Sequence, residues 1–180
     1  MLEVALPDLD VAERFRARTV GGVLHAHPRP ATAHALAASG LGEELGPPFM
    51  RGKGGPGGWV MLDEPELHLG EDVVVPDLAG WRRERMPETP LAPFLTLAPD
   101  WLSEVLSPST AAFDRKLKPP IYARERVRHV WIVEPETKTV EVLRLDGDGY
   151  RLAVVASEDD RARLEPFEAI ELDLSVPWAR

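Results

Sequence analysis

The sequence predicts a single domain of mixed α and β structure, and three observations lead there. Thr32–Leu45 is rich in Ala and Leu, with Leu36, Leu41 and Leu45 near helical spacing, and reads as a helix packed on one face. Short apolar runs bounded by Gly, Pro, Asp and Ser recur along the chain and read as strands. The length of 180 residues, with 44% hydrophobic and 28% charged side chains, suits one globular unit with a real core.

Taken in order, Val20–His27 (VGGVLHAH) alternates and predicts a strand, ended by His27-Pro-Arg-Pro30. The helix over Thr32–Leu45 follows and stops at Gly46-Pro47-Pro48. Arg51–Gly58 (RGKGGPGG) is a loop by composition. It lacks the G-x-x-x-x-G-K-[ST] spacing and no helix follows it, so it reads as a connector, not a phosphate loop. Trp59–Asp63, Glu66–Leu69 and Val73–Val75 read as short strands, the last running into Pro76-Asp77. Residues 80–100, punctuated by Pro87, Pro90, Pro93 and Pro99, read as irregular.

Trp101–Leu106 is a further strand, and Ser107-Pro-Ser-Thr110 supplies N-cap residues for the helix Ala111–Leu117. Pro119-Pro120 breaks that helix or opens a second one over Ile121–Arg126. The remainder is β: Val130–Val133 and Thr139–Leu145 flank a hairpin turn, Asp146-Gly-Asp-Gly149 leads into Tyr150–Ala156, and Ala169–Leu174 closes the chain. One mixed sheet is expected to contain Val73–Val75, Trp101–Leu106, Val130–Val133 and Thr139–Leu145. Its core is expected to take Leu36, Leu102, Leu106, Val130, Ile132, Val140 and Val142.

Composition narrows the function. No apolar run reaches the roughly 20 residues needed to span a bilayer, the first 20 residues carry no signal-peptide core, and there is no cysteine, hence no disulfide framework and no thiolate chemistry. The expected setting is cytoplasmic, with no membrane partner. A net charge of -9 argues against an indiscriminate coat for nucleic acid but allows a local basic groove. From Ala111 to Lys138, Arg115, Lys116, Lys118, Arg124, Arg126, Arg128 and Lys138 stand against Asp114, Glu125, Glu134 and Glu136, a local excess of three positive charges. Arg82-Arg83-Glu84-Arg85 is a second cluster.

The residues with most chemical content are Asp77, in VVVPDLAGW, and Glu104, in WLSEVLS. A period of two puts Leu102, Glu104 and Leu106 on one strand face, opposite Trp101, Ser103 and Val105. A Glu among leucines on a buried face is costly unless it is paired, protonated or bound to metal. Spacing alone leaves open a core Glu paired with an arginine. If a metal is bound, oxygen ligands of this kind suit Mg²⁺ or Mn²⁺. Two carboxylates sharing one ion repel without it, which predicts at least one raised pKa. The histidines make a weaker case. His25 and His27 share a strand face, but His34, His68 and His129 lie elsewhere, and no HxxxH spacing exists. Ser107 and Ser109 lack a nucleophile elbow.

Four segments together carry a family resemblance: Val75-Pro-Asp-Leu-Ala-Gly-Trp81, Ala98-Pro-Asp-Trp-Leu-Ser-Glu-Val-Leu-Ser-Pro-Ser-Thr110, Asp114-x₃-Lys118-x₃-Tyr122, and Val127-Arg-His-Val-Trp-Ile-Val-Glu-Pro135. With Gly22–Pro30, His34, Gly57-Gly-Trp59 and Glu66–Gly70 upstream, the pattern resembles the Uma-two family of the PD-(D/E)xK superfamily over roughly residues 20–175. The resemblance implies a restriction-endonuclease-like fold, a central mixed sheet flanked by helices. It implies a metal-dependent nuclease that hydrolyses phosphodiester bonds, with Asp77, Glu104 and the Val105 carbonyl holding Mg²⁺ or Mn²⁺ and a lysine beside them. Nucleic acid, DNA before RNA, is the implied partner in a bacterial cell, and a homodimer is compatible with it.

Two departures bear on the site. The superfamily lysine two residues after the Glu is replaced by Leu106, which shifts the role to Lys118, or to Lys116 if Pro119 misdirects Lys118. Arg18 stands where relatives carry a Glu, which leaves Glu66 as a substitute acid and Tyr122 as an accessory. These departures also define the alternative: a nuclease-fold module that has lost turnover and binds nucleic acid or a protein partner.

Overall fold

The computed structural model describes residues 15–21, 23–28, 32–108, 111–158 and 160–179, with the side chains at 15–19 and 24–28 outside the description. The strands are β1 (Phe15–Val20), β2 (Val23–Pro28), β3 (Trp59–Asp63), β4 (Leu67–Leu69), β5 (Asp72–Val74), β6 (Leu78–Arg82), β7 (Trp101–Val105), β8 (His129–Glu134), β9 (Thr139–Asp146), β10 (Gly149–Ser157), β11 (Arg161–Ala162) and β12 (Leu172–Asp173). The helices are α1 (Thr32–Leu45), α2 (Ala111–Lys116) and α3 (Lys118–Arg124). A π-helical turn, Gly46–Met50, extends α1.

A six-stranded sheet, β10-β9-β8-β7-β6-β3, forms the centre, and a four-stranded sheet, β2-β1-β5-β4, lies beside it. Only β7 and β8 run parallel within the central sheet; its other neighbours are antiparallel. Parallel neighbours need a crossover, because a tight turn cannot return the chain to the same end of the sheet. Here α2 and α3 make that crossover, and it places Lys118 and Tyr122 over β7.

Alternation along β7 sorts the core into two layers. Trp101 and Val105 face α1, together with Trp59, Leu78, Trp131, Val140 and Val142. Leu102 and Leu106 face the crossover, together with Val60, Ala79, Val130, Ile132, Ile121 and Tyr122. On the α1 side, Phe167 packs its ring against those of Phe49, Trp59, Trp101 and Trp131, with centroids 4.6, 4.9, 5.0 and 5.6 Å away.

Four expectations are revised. Val20–His27 is not one strand: a turn at Gly21, with φ of 57°, splits the region into the β1–β2 hairpin. Val73–Val75 corresponds to β5 of the four-stranded sheet, and β6 takes the predicted place beside β7. β6 (Leu78–Arg82) runs into residues 80–82 of the segment read as irregular, because Gly80 and Ala79 lower its apparent strand propensity. Gly80 nonetheless fits here, since a Cβ would lie 3.2 Å from the rings of both Trp59 and Trp101, closer than they sit without adjustment. Leu36 is exposed; α1 buries His34, Ala37, Gly40, Leu41 and Leu45 instead. The other predicted core residues, from Leu102 to Val142, are buried. The Ser109-Thr110 cap lies outside the described residues.

A carboxylate and lysine site at the end of strand β6

Asp77 directly precedes β6. The β6–β7 register ends with Leu78 opposite Ser103, the neighbour of Glu104 on β7. The Asp77 amide donates to the Ser103 carbonyl at 3.1 Å. Past this point β6 offers no backbone partner to the Val105 amide, and Asp77 Oδ2 accepts that N–H at 2.7 Å. Asp77 Oδ1 lies 2.9 Å from Nε2 of His34, which α1 brings in from above. Both oxygens are thus held although the residue is buried.

Glu104 points to the opposite layer and is 1% exposed. Its Oε2 lies 2.5 Å from Lys118 Nζ, and its Oε1 accepts the Tyr122 hydroxyl at 2.5 Å. Lys118, itself 0% exposed, also lies 2.7 Å from Asp114 Oδ1, one helical turn earlier. A buried glutamate at this position needs such partners, because an isolated carboxylate loses several kcal/mol of hydration that apolar neighbours cannot return. Of the two residues considered for the lysine, Lys116 is exposed and Lys118 reaches Glu104. Lys118 opens α3 with Pro119 and Pro120 behind it, where their missing N–H groups cost nothing.

The electrostatics of Asp77 run opposite to the repulsion expected between two carboxylates. Burial pushes its pKa up, but the His34 hydrogen bond and charge, the Lys118 charge and the Val105 N–H together hold it below the ordinary carboxylate value. Asp77 therefore feels Lys118 from one side of the sheet and His34 from the other.

A cleft of about 780 Å³ opens on the α1 side, and Asp77 and His34 are in its wall with Glu43, Asp63, Glu64 and Arg51. Glu64 adopts φ of 47°, and its amide donates to the Asp77 carbonyl at 3.0 Å, fixing the turn against the site. Sequence reasoning missed His34 as the partner of Asp77, and Asp63 and Glu64 as wall residues; the Asp-Glu-Pro run ending β3 was the available signal. Glu66 is exposed, hydrogen-bonded to His68 at 2.7 Å, and does not line this cleft. His68 in turn stacks on Phe94. The side chains of Arg18, His25 and His27 lie outside the described residues.

The donor set fits a hard divalent cation: two carboxylates and a backbone carbonyl, with no thiolate. Mg²⁺ commonly takes only one or two carboxylates and keeps waters in its other positions. Among the described residues no group of three or more His, Asp or Glu side chains is gathered as a preformed metal cage. Any ion would thus be held by few protein ligands, with Asp77 the one open to the cleft.

The fold is a central mixed sheet with one parallel pair and helices across its faces, of the α+β type expected for a restriction-endonuclease-like domain. The chain belongs to the Uma2 family, described as "Putative restriction endonuclease", whose model matches residues 4–177. Among solved structures it is similar to a "putative nuclease belonging to DUF820" from Anabaena variabilis ATCC 29413. The TM-score is 0.71 and the identity 20%, with 96% of this chain and 93% of that chain covered. No curated protein matches the sequence. No helix among the described residues is long and apolar enough to cross a membrane.

Proposed function

We propose that the protein is a Mg²⁺- or Mn²⁺-dependent nuclease that hydrolyses phosphodiester bonds, with DNA the favoured substrate, acting in a bacterial cytoplasm. The observation that carries this reading is the Asp77 carboxylate bound to the Val105 amide, next in sequence to Glu104 and its Lys118 partner, with Asp77 facing a cleft. Asp77, Glu104 and the Val105 carbonyl would hold the ion. When bound, it would polarise the scissile phosphate and lower the pKa of an attacking water. His34 and the Val105 amide orient the Asp77 carboxylate, and Tyr122 orients that of Glu104. Lys118 pairs with Glu104, and its charge is also felt at Asp77, which faces the cleft.

A second reading has its own observation. Glu104 and Lys118 are sealed from solvent, and neither lines the cleft. A chain that kept this network for stability alone would be a binding module without turnover. Incubation with supercoiled plasmid separates the two. The nuclease reading expects nicked product with Mg²⁺ or Mn²⁺ and none with EDTA or in Asp77→Asn. Intact plasmid under every metal condition, together with retained binding to the plasmid, would favour the binding module instead.

A further inference from the structure

We infer that the glycine loop after the π-turn and the arginine turn after β6 form a basic rim that seats the backbone of a DNA duplex at the cleft. This inference rests on the nuclease reading and names its substrate-holding surface. The starting point is how the cations are used. In the segment 111–138, which has the larger local excess, most cations are already neutralised. Arg115 is paired with Glu134 and Glu141, Lys118 with Glu104 and Asp114, Arg124 with Asp72 and Glu125, Arg126 with Asp148, and Lys138 with Glu158.

Arg51, Lys53, Arg82 and Arg83 are exposed and enter no ion pair among the described residues. Lys116, Arg128 and Arg163 share that condition but come from separate elements. The four are brought together by backbone. Arg51 lines the cleft, and the Lys53 amide donates to Pro47, which also lines it. At its other end the loop's Gly58 carbonyl accepts the Arg83 amide at 2.9 Å. Arg82 lies over the Trp59 ring, 4.2 Å from its centroid, and Arg83 donates to the Trp59 carbonyl. These contacts make the arginine turn a fixed feature.

The loop itself is built to hold this course. Gly52, Gly54, Gly57 and Gly58 all take positive φ, between 66° and 84°. At Gly55 a Cβ would meet Pro48 at 2.5 Å, so the loop is pressed onto the π-turn. The β3–β6 register pairs Asp63 with Leu78 at the Asp77 end and Trp59 with Arg82 at the other. At about 3.4 Å per residue, Arg82 thus lies roughly 14 Å from the acidic end. That is the span of several phosphates on a duplex. The cleft wall is acidic where an ion would sit, and its border is basic where a backbone would lie. Trp59, the aromatic ring of this rim, is 1% exposed, so the surface offers charge without a stacking platform for unpaired bases. This favours a duplex over a single strand.

The test is fluorescence anisotropy of a labelled DNA duplex in EDTA, so that binding is read without cleavage, over a series of KCl concentrations. Arg51→Ala with Lys53→Ala is expected to weaken binding roughly tenfold and to make the log–log salt dependence shallower by about 2, at about 0.9 per phosphate contact. Arg126→Ala with Lys138→Ala should leave both unchanged. If the rim variant binds like the parent while the parent nicks plasmid, the rim assignment is wrong and the nuclease reading stands. If the parent neither binds nor nicks, both fall. Tighter binding to single strands or to an RNA duplex would overturn the DNA duplex assignment.

Discussion

Lys118 is the residue on which the site turns, because it neutralises Glu104 where no water reaches. Lys118→Met removes the cation and leaves a buried charge unpaired, which should cost about 3–5 kcal/mol in urea denaturation. Lys116→Ala, at an exposed position, should stay within about 0.5 kcal/mol of the parent. Equal losses from both would contradict the assigned roles. Glu104 was legible because a carboxylate interrupts an apolar strand face, and Lys118 because the Asp114-x₃-Lys118-x₃-Tyr122 spacing aligns all three. His34 was not legible as the partner of Asp77. That contact depends on how α1 is rotated over the sheet, and the leucine spacing suggested a different face.

His129 gives a pH prediction at the same scale. Burial pushes its pKa below the ordinary imidazole value, partly opposed by the charge of Glu165. The folded state therefore resists protonation more than the unfolded chain does. Its contribution to stability is complete above the unfolded value of about 6.5 and is lost as pH falls through the lower folded value. The melting temperature of the parent minus that of His129→Gln should therefore decline between about pH 7.5 and pH 5. A difference that grows as pH falls would reverse the sign assigned to His129.

At the scale of elements, close contacts set the limits. A Cβ on Gly40 of α1 would lie 2.8 Å from the Pro177 Cα and 2.9 Å from the Val176 carbonyl oxygen, both backbone atoms with no freedom to rotate away. Gly40→Ala should lower the melting temperature despite the better helix propensity of Ala, whereas Gly147→Ala, strained by φ of 62° but in open space, should cost less. Phe167 touches four aromatic rings, so Phe167→Ala should cost about 3–5 kcal/mol. Strands with β-branched or aromatic runs, such as β7, β8 and β9, could be read directly. β6 could not, because its Ala-Gly centre serves the tryptophans packed across it, not its own propensity. The α2–α3 crossover was legible as two helices split by Pro119-Pro120, while the parallel pairing it produces is a property of topology.

For the molecule as a whole, the net charge of -9 conceals an uneven distribution. Ion pairs absorb much of the basic 111–138 segment, and unpaired cations gather beside the cleft. Counting charges along the chain found both the 111–138 segment and the Arg82–Arg85 cluster but could not say which cations are paired, because pairing is decided in three dimensions. The central claim is that Asp77 and Glu104 act as one unit on one phosphodiester. Groups that act as a unit are not additive: losing either costs about as much as losing both. The most direct measurement is single-turnover cleavage of a labelled DNA duplex in Mg²⁺ or Mn²⁺ by the parent, Asp77→Asn, Glu104→Gln and the double variant. We expect both single variants to fall to the level of the double variant, with each remaining folded by circular dichroism. A folded Asp77→Asn or Glu104→Gln that cleaves at the parent rate would contradict the account.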